Sequence, residues 1–499
     1  MNKQSGAALL IALIIVVLAV TAGLLSAYNN RNSQTEREQI TSTALSKARE
    51  ALISYALTYP DANQQGGISV FVPGHLPCPD LGAGTEGIAA TSCGGRGITS
   101  IGMLPWKTLG IPPLRDAQGN CLWYAVSGTF KDQSKAHLLN RDSTGQFVVV
   151  DRDGLTTIVG ATPETRPGAI IFAPGPPLAG QARSHQGGEC GKDYNASAFL
   201  DSWGAINHAT PNTTAEGLTT VAAQGPSGSQ TDRLAWITPS DLFSRNIELR
   251  NDFAKSLYDP SFISGVSTTP ALTQRVAECF LVFAALQTSD RHLPWAAPLS
   301  LNAAAPNTFD NDQFGDSSDL RVGRLPYLVF NSVANIGTVN FSNAPPTTLI
   351  SCNSATSPSC RLLRVENCPA GWNRVAGYPT TSDSPQGWFD KWKDHLFYAV
   401  AEDFQPTATP SNCVSKKCLY VDSYGPFAAV IIFADSKQGT QTRSTTAQKN
   451  DPTNYLENEN ALAIQINDTS NPLFGKFKRT GNDKFVCINP NLTLNLSCT

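Results

Sequence analysis

The chain has 499 residues, of which 41% are hydrophobic and 15% charged, with a formal net charge of −3 at pH 7. This composition suits a folded chain and excludes a mainly disordered one, and the length allows two or three domains. No block of basic residues is present, so the sequence lacks the electrostatic footprint of a nucleic-acid-binding protein.

The first predicted element is an apolar helix. A short polar leader over residues 1–6 ends at Gly6, and a nearly unbroken apolar run follows from Ala7 to Leu25. At about 1.5 Å per residue, such a helix nearly spans the hydrocarbon core of a bilayer. A secretory signal would place its small-residue cleavage site after the run, whereas Gly6 precedes it. We therefore predict a transmembrane helix over 7–27, with cleavage between Gly6 and Ala7. An uncleaved signal anchor is the alternative.

The stretch 28–60 is predicted to continue this helix as an amphipathic stalk. The first proline of the chain is Pro60, and apolar residues before it recur at spacings of three and four. The residues of this apolar face are Ile40, Ala44, Leu45, Ala48, Leu52, Tyr55 and Ala56. A separate helix that follows an ordinary anchor would give the same pattern.

Beyond Pro60, short β-prone runs alternate with turn-rich segments, which predicts an α+β fold with antiparallel sheet. Several motifs occur twice in the same order. They predict two related heads at 61–265 and 266–499, with an insertion at about 328–390 in the second copy. Recurring sheet-type sequence without duplication is the alternative. The echoes pair His75–Pro77 with His292–Pro294, Gly102–Trp106 with Gly323–Tyr327, Leu122–Val126 with Leu396–Val400, Ala169–Ala173 with Val430–Ala434, and Gly180–Arg183 with Gly439–Arg443.

The 12 cysteines are even in number and lie outside the apolar run. In a translocated chain this favours disulfides over zinc, because no Cys-x2-Cys pair occurs and the histidines are not at ligand spacing. Local candidates are Cys78/Cys93, Cys352/Cys360, Cys413/Cys418 and Cys487/Cys498. The connectivity cannot be deduced from one sequence.

Motifs of catalysis are missing from the sequence: there is no Gly-x-Ser-x-Gly elbow, no His-Glu-x-x-His and no P-loop. The best ligand candidate is a calcium loop at 310–319, because oxygen-bearing side chains alternate there around Gly315. Arg321 takes the place of a closing glutamate, so the loop is not an EF-hand, and an ordinary surface loop is the alternative. The candidate ligands are Asp310, Asp312, Asp316 and Ser318. No other cofactor is predicted.

Three tryptophans in or just after the insertion are candidates for an exposed ligand surface, because flat aromatic rings stack on sugars. They are Trp372, Trp388 and Trp392. Most other aromatic residues lie inside the repeated apolar motifs, where core packing is the expected role.

The N-terminus resembles the class III, or prepilin, signal of type IV pilins and type II secretion pseudopilins. The resemblance is specific at Gly6 and the apolar run, and loose over the heads. It implies that a prepilin peptidase cuts after Gly6 and methylates Ala7, and that the helix packs with other minor pilins or pseudopilins. Most relatives carry glutamate at the fifth mature position. Ile11 stands there, as is typical of K-type pseudopilins and X-type minor pilins.

This resemblance implies a non-enzymatic structural protein in the bacterial inner membrane, single-pass, with its heads in the periplasm or on a filament. An unpaired carboxylate within a bilayer is costly, so Ile11 suits a subunit at the tip or in the initiation complex, with no subunit above it. Two alternatives stay open: a pilus-associated adhesin that binds through the second head, and a membrane-anchored extracytoplasmic enzyme. The missing catalytic motifs count against the enzyme.

Overall fold

The computed structural model describes residues 5–62, 74–95, 97–132, 138–151, 154–223, 230–243, 272–285, 292–300, 314–317, 319–326, 391–408, 413 and 418–499. We call the described residues from 74 to 243 the first head and those from 272 to 499 the second head. The division of the chain into heads at residue 265 stays a prediction, because 244–271 lies outside the described residues.

Among the described residues, one long α-helix is followed by five shorter ones. They are α1 (Ser5–Ala62), α2 (Ala196–Phe199), α3 (Pro239–Leu242), α4 (Leu272–Ala285), α5 (Thr446–Asn450) and α6 (Asn458–Ala463). The strands of the first head are β1 (Ser100–Met103), β2 (Trp123–Val126), β3 (Phe147–Val150), β4 (Thr157–Val159), β5 (Ala169–Ala173), β6 (Ser202–Trp203), β7 (Ile206–Asn207), β8 (Thr219–Ala222) and β9 (Arg233–Ile237). The strands of the second head are β10 (Val322–Arg324), β11 (Leu396–Val400), β12 (Leu419–Val421), β13 (Tyr424–Phe427), β14 (Ala429–Phe433), β15 (Lys476–Phe477), β16 (Lys484–Ile488) and β17 (Leu494–Asn495).

The main sheets of the two heads share one topology. In the first head the order is β1-β2-β5-β9, and in the second it is β10-β11-β14-β16-β17, with every neighbouring pair antiparallel. The second sheet therefore repeats the first and adds β17 at one edge.

Each head also has a smaller mixed sheet of the same design. The order β4-β3-β8 combines an antiparallel pair, β3 with β4, and a parallel pair, β3 with β8. The order β13-β12-β15 does the same, with β12 antiparallel to β13 and parallel to β15. The prediction of antiparallel sheet did not include these parallel pairs, which form because in each head a strand returns in the same direction after a long connection.

Equivalent side chains make equivalent bonds in the two heads. The hydroxyl of Tyr124 on β2 donates to Pro77 O at 3.2 Å, and that of Tyr398 on β11 donates to Pro294 O at 3.1 Å. Both tyrosines are fully buried, so each phenol needs such an acceptor. The His-Leu-Pro motif of each head thus supplies, at its proline, the carbonyl that accepts this bond.

A glycine in each first strand allows a neighbouring segment to approach closely. A Cβ atom at Gly102 would lie 2.5 Å from Asp80 O, and one at Gly323 would lie 2.1 Å from Ala297 O. Backbone bonds hold these segments in place, from Met103 N to Asp80 O and from Arg324 N to Ala297 O. Any side chain at these positions would block the approach of the neighbouring segment, which explains why both copies have glycine here.

Strand register corrects one of the sequence echoes. Tyr124 lies opposite Ile171, and its counterpart Tyr398 lies opposite Ile431. Ile171 therefore corresponds to Ile431, whereas the alignment of Ala169–Ala173 with Val430–Ala434 would place it at Ile432. A one-residue slip moves every side chain to the other face of a strand. The strand pairing, and not the local sequence match, therefore determines which residues of the two heads are equivalent.

One apolar core runs through both heads and includes Leu52 of α1, Tyr124, Phe280 of α4 and Tyr398. The face of α1 that enters it carries Ala44, Leu45, Ala48, Leu52 and Ala56, while Ile40 of the predicted face is 46% exposed. A second core lies between the two sheets of the first head, around Trp123, Phe147 and Phe172.

The prediction of a transmembrane helix over 7–27 is wrong for the part of the chain that the structure describes. No helix there combines the length and the apolar composition needed to cross a membrane. Apart from α1, the chain forms mostly short strands in several sheets. The fold therefore gives no support to a membrane-spanning pilin stalk.

Candidate functional site between the two heads

Two arginines organise the same loop in the two heads. Arg183 donates to Gly175 O at 2.5 Å, Ala198 O at 3.2 Å and Phe199 O at 3.0 Å. It also donates to Gln181 Oε1 at 2.7 Å. Its guanidinium therefore fastens the loop after β5 to the segment of α2.

Arg443 repeats these contacts after β14. It donates to Asp435 O at 2.8 Å, Asn454 O at 2.6 Å and Tyr455 O at 3.3 Å, and to Gln441 Oε1 at 3.2 Å. The planar fork of arginine suits this task, because several fixed donors reach several carbonyls at once.

The second head adds a carboxylate that comes from the first. Asp142 Oδ2 lies 3.0 Å from Arg443 Nη1 and 3.1 Å from His395 Nε2. Lys437 Nζ approaches Asp142 Oδ1 at 3.6 Å. The side chains of Asp142, Arg443 and His395 are all buried, so this is an ion cluster inside the interface between the heads.

The charges around Asp142 affect its pKa more strongly than its burial does. Desolvation alone would raise the pKa of Asp142. The hydrogen bond with His395 and the positive charges of Arg443 and Lys437 instead hold that pKa well below its usual range. Asp142 is therefore an anion at neutral pH, and its charge is matched across the interface.

Neighbours of Asp142 extend the contact. Arg141 Nη1 lies 2.8 Å from Asp435 Oδ1, and the guanidinium of Arg141 also lies over the ring of Trp392, 5.8 Å from its centre. Asn140 Nδ2 donates to Asp394 Oδ1 at 3.1 Å. Three consecutive residues of the first head thus bind the second.

A further link lies at the edge of the cluster. Ser444 Oγ donates to Glu164 Oε1 at 2.5 Å, and Lys437 Nζ lies 3.6 Å from the same oxygen. Lys437 therefore bridges Glu164 and Asp142, two carboxylates of the first head. We call Asp142, Glu164, His395, Lys437 and Arg443 the interhead cluster.

The geometry of His395 suits binding rather than catalysis. Its Nδ1 lies 2.5 Å from Ala434 O, and because a carbonyl oxygen only accepts, Nδ1 carries the proton. Its Nε2 faces Asp142. Both ring nitrogens are thus directed at partners of the protein itself, and neither points to a substrate.

Each head also contains a buried carboxyl pair at the same place. Asp201 N donates to Asp232 Oδ2 at 2.9 Å, and Glu457 N donates to Asp483 Oδ2 at 3.3 Å. In the second head, burial and the hydrogen bond with Glu457 raise the pKa of Asp483 to about 8. The pair therefore retains a proton at neutral pH.

In the first head a histidine completes the pair. His208 Nδ1 lies 2.8 Å from Asp232 Oδ2, and His208 Nε2 accepts the N–H of Ala222 at 3.1 Å. Burial lowers the pKa of His208 to about 4, and burial also raises the pKa of Asp232. A neutral imidazole whose two nitrogens are both bonded connects β8 to the start of β9.

The predicted calcium ligands are only partly placed. Asp310, Asp312 and Ser318 lie outside the described residues, and Asp316 is buried in the second head near Tyr398. Because three of the four candidate ligands lie outside the described residues, the calcium site stays a prediction.

The predicted tryptophan surface is wrong at the residue that can be placed. Trp392 is only 1% exposed and packs against Phe243, His395 and Phe433. Trp372 and Trp388 lie outside the described residues. Trp392 belongs to the contact between the heads, because Phe243 comes from the first head.

Cysteines form bonds within each head. Cys78 is bonded to Cys93, Cys413 to Cys418 and Cys487 to Cys498, and each of these pairs was a local candidate. A fourth bond joins Cys121 to Cys190, which are 69 residues apart and were not paired from the sequence. Cys352 and Cys360 lie outside the described residues.

A metal centre has one candidate among the described residues, Asp403 with Cys413 and Cys418. The two sulfur atoms are bonded to each other, so neither is a thiolate that could bind a metal.

Gly6 and Ala7, the predicted processing residues, lie in the first turns of α1.

Sequence reasoning missed the interhead cluster. The echo of Gly180–Arg183 with Gly439–Arg443 did single out both arginines, but no local signal connects Arg443 with Asp142, 301 residues away. The run Asn140-Arg141-Asp142 reads as an ordinary polar turn, and only its position reveals its role.

Comparison with known protein families, with functionally described proteins and with solved structures finds no match to the chain.

Proposed function

We propose that this protein is a non-catalytic structural subunit of the minor pilin or pseudopilin kind, acting at the tip or in the initiation complex of a filament. Its two heads would serve as one rigid platform. The observation that supports a structural role is the interhead cluster, in which the buried charges of Asp142 and Arg443 meet across the heads and are paired with each other. Buried, fully paired charges favour a single arrangement of the parts that they join.

The pilin-specific part of the proposal depends on the N-terminal sequence. Its partners would be a prepilin peptidase acting at Gly6 and Ala7, and other minor pilins or pseudopilins that contact the N-terminal helix. The heads would lie outside the cytoplasm. The four disulfides described above support that location, because such bonds persist in oxidising compartments.

Co-expression with a prepilin peptidase tests the processing step. Mass spectrometry of the purified protein should find Ala7 as the new N-terminus, with an added methyl group. A Gly6→Leu variant is the matched control and should stay uncut. An intact Met1 in the presence of active peptidase would contradict the pilin assignment.

The proposed position in a filament needs a separate measurement. Immunogold labelling of sheared filaments should mark their ends at low copy number. Labelling along the whole shaft would contradict a tip role, and absence from filaments would contradict the filament role altogether.

A further inference from the structure

The outer edge of β9 in the first head corresponds to an edge that is covered in the second. Ala169 lies opposite Ile237 on β9, and Ala429 lies opposite Ile488 on β16. Strand β16 carries β17 on its other side, and the bond between Cys487 and Cys498 ties β17 in place. Among the described residues, no strand pairs with the outer edge of β9.

The main-chain groups on this edge can be assigned. Ile237 O accepts from Gly168 N, on the side of β5. Trp236 O accepts instead from Arg49 Nε of α1 at 3.0 Å, on the outer side. Successive residues alternate in an antiparallel ladder, so the N–H and C=O of Leu234 also point outward. Leu234 therefore presents a donor and an acceptor at the edge.

A groove runs along these groups. It has a volume of about 1040 Å³ and lies between α1 and β9. Ser42, Leu45 and Ser46 line it from the helix, and Leu234, Ala235 and Trp236 line it from the strand. Such a space, beside outward main-chain groups, has the form of a site for strand addition.

We propose that the β9 edge binds an extended segment of another polypeptide as an added antiparallel strand. The second head indicates what kind of strand would bind to the β9 edge, because β17 occupies the corresponding edge of β16 there. Its sequence alternates leucines at 492, 494 and 496 with polar residues. Leu494 packs against the core of the second head, so apolar residues of the added strand face α1, where Leu45 and Ala235 line the groove.

The bonding side of such a strand follows from β17. Asn495 lies opposite Cys487, and Asn489 N donates to Thr493 O at 2.9 Å in the same register. Residues 493, 495 and 497 therefore direct their main-chain groups at the sheet, whereas residues 494 and 496 direct theirs away.

The probe is a synthetic peptide of residues 489–499 with Cys498→Ser, added to the full chain under non-reducing conditions so that its own β17 stays tied. We expect saturable binding and slower hydrogen exchange at the amide of Leu234. N-methylation of the peptide at Asn495 and Ser497 should weaken binding by about tenfold or more, since the bond to Leu234 O is lost and both methyl groups lie between the paired strands. N-methylation at Leu494 and Leu496 is the matched control and should have little effect.

A variant of the protein provides a second test of strand binding. Leu234→Pro removes the outward N–H but leaves the ladder to β5 intact, and it should abolish binding, whereas Leu234→Ala should retain it. Equal binding of the two methylated peptides would overturn the proposal, and this arm needs no folded variant. Protection of Leu234 in the monomer without peptide would overturn it as well, because the chain itself would then cover the edge. Protection that appears only as the protein self-associates would identify a second copy as the occupant and overturn the choice of a different polypeptide.

Discussion

Asp142 of the first head and Arg443 of the second form a buried ion pair, with 3.0 Å between Oδ2 and Nη1. The same Nη1 also donates to Asp435 O, so one guanidinium shapes its own loop and binds the other head. Arg183 shapes the equivalent loop in the first head, and the bonds described for it all lie within that head. A motif shared by both copies has thus acquired an interhead role in one of them.

Loss of the charge on Asp142 should strongly destabilise the protein. In the Asp142→Asn variant the positive charge of Arg443 stays buried without its counter-ion. We expect the free energy of unfolding to fall by about 3–5 kcal/mol. Urea denaturation at pH 7 measures it. Asp468→Asn, a change at an exposed residue bonded to Ser470, is the matched control and should leave the free energy of unfolding nearly unchanged. A loss as small as the control's would show that the cluster is not a stabilising contact.

The carboxyl pair of the second head should make stability decrease with rising pH. The folded-state pKa of Asp483 is raised to about 8, whereas the unfolded side chain titrates near 3.8. Its contribution is therefore full below the unfolded pKa and is lost as pH rises toward 8. Asp142 acts in the opposite sense: its pKa is held low, so its contribution is present above the unfolded pKa and is lost as pH falls.

The Asp483→Asn variant isolates the first effect. Asparagine cannot ionise and can still accept the bond from Asn460. We expect the variant to gain stability relative to the natural protein as pH rises from 5 to 9, by at least about 1.4 kcal/mol, the equivalent of one pKa unit. Denaturation curves across this pH range test it, and a constant difference between the two proteins would contradict the assignment.

Disulfide bonds should contribute unequally. Cys121–Cys190 closes a sequence separation of 69 residues, and Cys413–Cys418 closes one of 5. A bond that closes a long loop removes more conformational freedom from the unfolded chain. Replacing Cys121 and Cys190 with serine should cost about 2–4 kcal/mol, and the same change at Cys413 and Cys418 should cost less. Thermal melting of the two double variants under non-reducing conditions compares them, and the reverse order would contradict this explanation.

The two equivalent glycines should be equally intolerant of a side chain. At Gly102 and Gly323 a Cβ atom would overlap a backbone carbonyl oxygen, so either Gly→Ala change must displace a paired segment. We expect each to cost about 1–3 kcal/mol, as for overpacked sites. Gly84 has no neighbour within 4 Å of an added Cβ, and Gly84→Ala is the control. Stability of Gly323→Ala equal to that of the control would mean that the two heads differ at this strand.

Local sequence determined where many strands lie and that two parts of the chain are alike. The β-prone run Phe147–Val150 is β3, and the Leu122–Val126 and Leu396–Val400 echoes contain β2 and β11 at corresponding places in the two main sheets. Such runs can be recognised because β-branched and aromatic residues suit an extended, buried backbone whatever its partner is. The same local reasoning failed for the apolar N-terminal run, where length and hydropathy predicted a membrane span that the described helices do not provide.

Tertiary structure alone decided the register, the parallel pairs and the contact between the heads. The period of two in a strand says which residues share a face, but it names neither the partner nor the offset, so Ile431 and not Ile432 is the counterpart of Ile171. Phe147 meets Thr219 in a parallel pair, and Asp142 meets Arg443, because folding brings together residues that are far apart in the chain. A carboxylate in a polar turn has the same local chemistry whether water or a buried guanidinium faces it, and only the packed heads distinguish the two.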